Sequence, residues 1–322
     1  MQTTATAIND PILVHALLIY IGIVAGFFGS MLGLGGGWLI VPALQVLGVP
    51  PLKAVGTSLT AMIFTSSIGA TRYYLRKILL LSLGLVIGVP AIGGVYLGKY
   101  LLALLNRYGY AGTMLLTAFI LLLTGLGVSM LISARGKGHK EKKSGVRWRP
   151  VGPAITLKDG SKAGILNAGF LGFAAGTLSG LLGIGGGILL TPAMVTLFGV
   201  PVVQAASASL VSVFMSSLLG STLYWHEGNT LFYFAVSLAA GTSVGSLLGA
   251  RTAPRISEQL LKRVFGTLTL LTAATLIARE FIAPEISVAG ILLGSTVLLI
   301  ITFVKSGQPS PDPAESTAPP FV

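Results

Sequence analysis

The feature that most constrains this chain is a series of long apolar runs kept free of charge. They occur at about 12–33, 55–73, 79–101, 111–133, 164–183, 205–224, 230–250, 262–279 and 286–304. Two shorter runs lie at 37–48 and 187–198. A helix needs about 20 apolar residues to span a bilayer, whereas a run of 10–14 suits a re-entrant or buried segment. All the Asp, Glu, Lys and Arg fall outside the interiors of these runs or at their ends. Only 9% of residues are charged, against about 25% in a soluble domain. The pattern predicts an all-α polytopic membrane protein in contact with the lipid bilayer.

The net charge of +12 is concentrated rather than spread. Nine Lys and Arg lie between Arg135 and Lys162, against Glu141 and Asp159. Basic residues gathered in one loop of an apolar chain mark the cytoplasmic side, so nucleic-acid binding is not expected. The N-terminus, Met1 to Pro11, has no basic stretch of the kind that opens a cleavable signal. Cys is absent, which removes disulfides and thiolate chemistry, and the three His are far apart. No metal centre, cofactor or enzymatic site is expected.

The chain repeats itself. Residues 26–43 (GFFGSMLGLGGGWLIVPA) and 176–193 (GTLSGLLGIGGGILLTPA) are identical at 9 of 18 positions. After one inserted residue the match resumes between 48–74 and 199–225, and it echoes at Gly94 and Gly98 against Gly245 and Gly249. Each half then holds about five helical segments: one long, one short and three long. A continuous helix across the first two segments, about 37 residues, would be about 55 Å long, against a hydrocarbon core of about 30 Å. The Gly-rich stretch therefore predicts a hairpin, and three further crossings give an odd total. The second half then inserts upside down, as in many secondary transporters. A mere break within one crossing helix would instead give four crossings and parallel repeats.

These boundaries divide the chain into a first membrane repeat (1–133), a basic cytoplasmic linker (134–163) and a second membrane repeat (164–285). An extra C-terminal transmembrane helix (286–305) and a Pro-rich, disordered tail (306–322) follow. With the linker inside, Arg72, Arg76 and Lys77 are also inside, as are Arg251, Arg255, Lys262 and Arg263. Lys99 and Arg107 fall outside, against the charge rule. Tyr73, Tyr224 and Trp225 read as aromatics at the membrane surface.

Candidate site residues come from the duplicated elements. The turns contain Gly35, Gly36 and Gly37, and Gly185, Gly186 and Gly187. Successive glycines permit positive φ and leave N–H groups at the start of each short helix, where an anion is favoured. Tight packing around a hairpin is the plainer alternative. The following helix carries Ser58, Ala61, Thr65 and Gly69 on one face, aligned with Ser209, Ser212, Ser216 and Gly220. Hydroxyls can donate to an oxyanion at small insertion cost; they also glue helices together. The span interiors hold no Asp or Glu, so a proton relay has no obvious carrier.

Taken together, GSMLGLGGGWLIVPAL (29–44) with the following LGVP and TSL, and SGLLGIGGGILLTPAM (179–194) with FGVP and ASL, resemble the TauE/SafE family of sulfite and organosulfonate exporters. The closing GARTAPRISEQLLKRVFG (249–266) extends the resemblance to roughly residues 12–280. It implies a multi-pass carrier of the cell (inner) membrane that exports a small anion, sulfite or an organosulfonate. The motif marks backbone turns, so it brings no catalytic side chain. The long basic linker and the run at 286–304 depart from the family pattern. A permease for another small solute and a non-transporting membrane scaffold stay open as alternatives, as does a homo-oligomer.

Overall fold

The computed structural model describes residues 11–135, 151, 153–156 and 162–281. Ten α-helices make up nearly all of this. The first half contains α1 (Pro11–Leu32), α2 (Gly37–Val46), α3 (Pro51–Leu75), α4 (Leu81–Arg107) and α5 (Ala111–Arg135). The second contains α6 (Ile165–Leu182), α7 (Gly187–Phe198), α8 (Val202–His226), α9 (Phe232–Thr252) and α10 (Glu258–Phe281). A short antiparallel ribbon, β1 (Ala154–Thr156) with β2 (Lys162–Gly164), lies in the linker. The expected extra helix at 286–304 and the tail at 306–322 lie outside the described residues.

Among the described residues seven helices are long and apolar enough to cross a membrane. α3 has the length, but hydroxyl residues lower its hydropathy. It is a central helix with much of its surface buried, including Ser58, Thr65 and Ser66. Pro51 starts it, at the position where a missing N–H costs nothing.

The direction of each helix follows from what its glycines face. On α1 and α9, Ile19 meets Gly241, Ile23 meets Gly245 and Phe27 meets Gly249, so the two run parallel. On α4 and α6, Ala91 meets Gly176 and Val95 meets Gly180, again parallel. Without a Cβ at these positions the backbones come into direct contact, which is how helices gain packing energy in lipid. α3 is parallel to α9, since the Thr242 hydroxyl reaches the Ala61 carbonyl and the Ser246 hydroxyl the Thr65 carbonyl. α1 and α3 therefore run the same way, and α2 between them must return the chain. The hairpin reading holds, and the alternative of a broken crossing helix does not.

α3 and α8 are equivalent in sequence and antiparallel in space: Thr60 bonds Ser221, and Gly69 faces Leu210. α5 and α10 are also antiparallel, with Gly127 against Leu270 and Gly266 against Leu131. Equivalent helices pointing in opposite directions define inverted repeats. Each repeat lends a helix to the other, because α1 packs on α9 and α4 on α6.

Loops 76–80, 199–201 and 252–257, the end of α5 and the start of α6 share one end of the bundle, where the Arg76 guanidinium donates to the Arg251 carbonyl at 3.2 Å. This is the basic end. At the opposite end Lys99 pairs with Glu227 at 2.5 Å, which gives the outlying lysine a neutralising partner from the other repeat. Tyr73 and Tyr224 are not surface aromatics. Both are fully buried, and their hydroxyls donate to the Ser30 carbonyl (3.2 Å) and the Gly180 carbonyl (2.7 Å), just ahead of the turns. A Tyr ring buried in an apolar bundle needs such an acceptor. Trp225, by contrast, is exposed.

Candidate functional site

Each Gly-rich turn contains three residues with positive φ: Gly33, Gly35 and Gly36 in the first, Gly183, Gly185 and Gly186 in the second. Only glycine adopts this conformation without steric cost. The turns lie beside Met62 and Val213, midway along α3 and α8. A Cβ on either Gly35 or Gly185 would collide with both the Met62 Cε and the Val213 Cγ1. The two turns thus face each other across one side chain from each central helix. Met62 and Val213 are aligned partners in the repeat, and they close the junction.

Each short helix begins against the opposite turn. Gly37, first residue of α2, abuts the Gly183 carbonyl, and Gly187, first residue of α7, abuts the Gly33 carbonyl. Those two carbonyls are occupied. Ser58 Oγ donates to Gly183 O at 2.9 Å, and Ser209 Oγ to Gly33 O at 2.7 Å, each across the repeat boundary. Ser216 Oγ donates to Gly185 O at 3.3 Å and to Val213 O at 3.1 Å. The N–H groups of Gly36, Gly37 and Trp38, and of Gly185, Gly186, Gly187 and Ile188, meet no acceptor among the described residues. With the turn carbonyls capped by hydroxyls and these N–H groups open, the junction has an electropositive character that needs no charged side chain. Two helix dipoles add to it.

Two hydroxyls of the striped faces, Thr65 Oγ1 and Ser212 Oγ, are buried without a partner. Thr65 is the counterpart of Ser216, which bonds its own turn. Of the residues singled out from sequence, the six turn glycines and Ser58, Ser209 and Ser216 meet at or clamp the junction, and Thr65 and Ser212 stand beside it unpaired. Ser66 and Ser217 instead bond carbonyls of their own helices, Met62 and Phe214. Met62, Val213 and the two buried tyrosines carry no charge or motif. The one signal that could have flagged them is their alignment in the repeat. Trp38 was also missed: it is fully buried, its ring lies edge-on to Phe265 at 5.8 Å, and its indole N–H has no acceptor. Among the described residues no three His, Asp or Glu gather to hold a metal.

Between α7, α5 and α10 lies a cavity of about 130 Å³, bordered by Leu34 of the first turn and Ile188 of α7. It lies on the side of the basic end.

Inverted repeats with interrupted helices between them are a plan found in many membrane transporters. The family model described as "Sulfite exporter TauE/SafE" matches residues 18–276, and the chain belongs to that family. It is 29% identical over 272 residues to a Bacillus subtilis protein named "Probable membrane transporter protein YunE", covering 81% of this chain and 96% of that one. A Methanocaldococcus jannaschii protein named "Probable membrane transporter protein MJ0441" is 25% identical, covering 80% and 95%. An Arabidopsis thaliana protein named "Sulfite exporter TauE/SafE family protein 3" is 32% identical over 128 residues, 38% of this chain and 27% of that one. No solved structure matches the chain.

Proposed function

We propose that this transporter exports a small anion, sulfite or an organosulfonate, through the junction of the two Gly-rich turns. The observation that carries the reading is the pair of opposed helix N-termini whose N–H groups are open while the neighbouring carbonyls are capped by Ser58 and Ser209. Such a site discriminates by sign: it offers donors to an oxyanion and repels a cation. Thr65 and Ser212 supply further donors. Met62, a flexible thioether chain, shifts aside with Val213 to admit the ion. The protein acts by binding and passage, not by making or breaking bonds.

Assigning the basic end to the cytoplasm follows the charge asymmetry. An inside-negative potential then drives a monovalent anion outward by about 2.3 kcal/mol per 100 mV, roughly a fiftyfold concentration ratio. Export on this basis needs no proton carrier. The test is flux of sulfite and of methanesulfonate into proteoliposomes under an imposed potassium diffusion potential. Uptake should rise when the lumen is made positive. Absence of flux for both anions overturns the substrate, and anion flux of reversed voltage dependence overturns uncoupled export by showing that cations move with the anion.

A further inference from the structure

The two Gly-rich turns follow the same bends but dispose of their N–H groups differently. In the first, the Leu34 and Gly35 N–H groups both donate to the Gly29 carbonyl, at 2.7 and 3.2 Å. In the second, the Gly183 N–H donates to the Ser179 carbonyl at 2.8 Å. The N–H groups of Ile184 and Gly185, counterparts of the first pair, meet no acceptor among the described residues. Only Gly33, counterpart of Gly183, is open in exchange.

The cause lies one turn back along each long helix. An added Cβ at Gly29 would lie 2.6 Å from the Gly36 nitrogen, so the first turn folds directly onto a glycine. The counterpart of Gly29 is Ser179 on α6, and the second turn must clear its side chain. Ser179 is fully buried, and its Oγ has no partner. Ser66, Ser217 and Ser243 instead donate to carbonyls three or four residues earlier on their own helices, the common outlet for a helical hydroxyl. A buried hydroxyl that takes no such outlet calls for a partner from outside the chain.

The same inequality recurs on the central helices. Ser209 and Ser216 of α8 bond the Gly33 and Gly185 carbonyls, one in each turn. Ser212 lies between them on the same face, buried, with its Oγ unpartnered. Its counterpart on α3 is Ala61. The second repeat thus brings two unbonded hydroxyls where the first has a glycine and an alanine. It also caps the Gly185 carbonyl with Ser216, whereas Thr65, the counterpart of Ser216, makes no bond.

We propose that Ser179 and Ser212 are the hydroxyls that select the anion. The ion touches N–H groups of both turns, and its oxygens are anchored from the second repeat alone. A hydroxyl can turn its proton to an oxyanion and keep its lone pairs away. The inference rests on the anion-export reading and deepens it, by adding Ser179 to the site and giving the bound ion a fixed side.

The test is equilibrium binding of methanesulfonate, and separately of sulfite, to the full chain in lipid nanodiscs. Binding is read as the anion-dependent rise in the thermal unfolding midpoint. Ser179→Ala and Ser212→Ala should each weaken binding about tenfold, as loss of a hydrogen bond to a charged group does. The anion-free midpoint should not fall, because each variant removes a hydroxyl that has no protein partner. Ser66→Ala, at a hydroxyl committed to its own helix, should bind like the unchanged chain. Unaltered affinity in the two serine variants overturns the proposal. So does a lowered anion-free midpoint with unaltered affinity, which would give the hydroxyls a structural water instead. A loss confined to one variant overturns the pairing. If neither anion raises the midpoint of the unchanged chain, the export reading falls and this inference with it, whereas anion binding indifferent to both serines strikes this inference alone.

Discussion

The hairpins α1–α2 and α6–α7 share half their residues over the turn region and the same pattern of positive-φ glycines, yet one is encased and the other borders a cavity. What they share is backbone: glycines that bend the chain, and carbonyls clamped by a serine of the other repeat. What differs is side-chain bulk on the first turn of the short helix, Trp38 against Ile188. The shared backbone builds the junction symmetrically, and the unequal side chains enclose α2 while leaving space beside α7.

The comparison is broken most forcefully at the shared element. Gly36→Leu and Gly186→Leu place an L side chain at φ 98° and 74°, a conformation that costs roughly 1–2 kcal/mol, and their Cβ atoms would press on the Ala25 and Ala175 carbonyls. Both should abolish anion flux in proteoliposomes while membrane insertion persists. Equal loss from the two variants supports a junction used symmetrically, and normal flux from either shows its turn to be dispensable. The next largest effect concerns the differing element. Ile188→Trp should fill the cavity and cut flux about tenfold with little loss of thermal stability. Trp38→Ile should instead destabilise by about 2–4 kcal/mol, read as a fall in the unfolding midpoint. If the two variants behave alike, packing asymmetry has no bearing on access.

Smaller changes sharpen the symmetry. Ser58→Ala and Ser209→Ala each leave a buried turn carbonyl without its donor, a cost of about 1–3 kcal/mol. On the proposed export reading the freed carbonyl faces the anion, so the KM for sulfite should rise several-fold, equally in both. A rise in only one would mean that the anion contacts one turn alone. The smallest effect is expected at the far end. Glu227 is about half exposed, so Glu227→Gln should cost roughly 0.2–1 kcal/mol by thermal unfolding and leave the KM unchanged. A large fall in flux would make the Lys99–Glu227 pair part of the transport cycle.

Much of this arrangement was legible in one dimension. The repeat and the lengths of the apolar runs led to hairpins and an inverted second half, because a span has a minimum length and parity follows from counting crossings. The turn glycines and the serines at 58 and 209 were legible because both copies place them identically. The burial of Tyr73 and Tyr224 was not. An aromatic near a helix end looks the same whether it meets lipid headgroups or reaches back to a carbonyl 43 or 44 residues away. Met62 and Val213 were invisible for a related reason: an apolar residue in an apolar helix announces nothing about what it plugs.

Sequence alone therefore determined the membrane class, the duplication, the inversion and the glycine bends, since these depend on hydrophobic length and on local backbone freedom. Tertiary structure alone decided which hydroxyls cap carbonyls and which stay open, what closes the junction, and which side has space. Those outcomes depend on contacts between residues more than a hundred positions apart, where the volume of one side chain, an indole or a butyl group, fills a gap or leaves it.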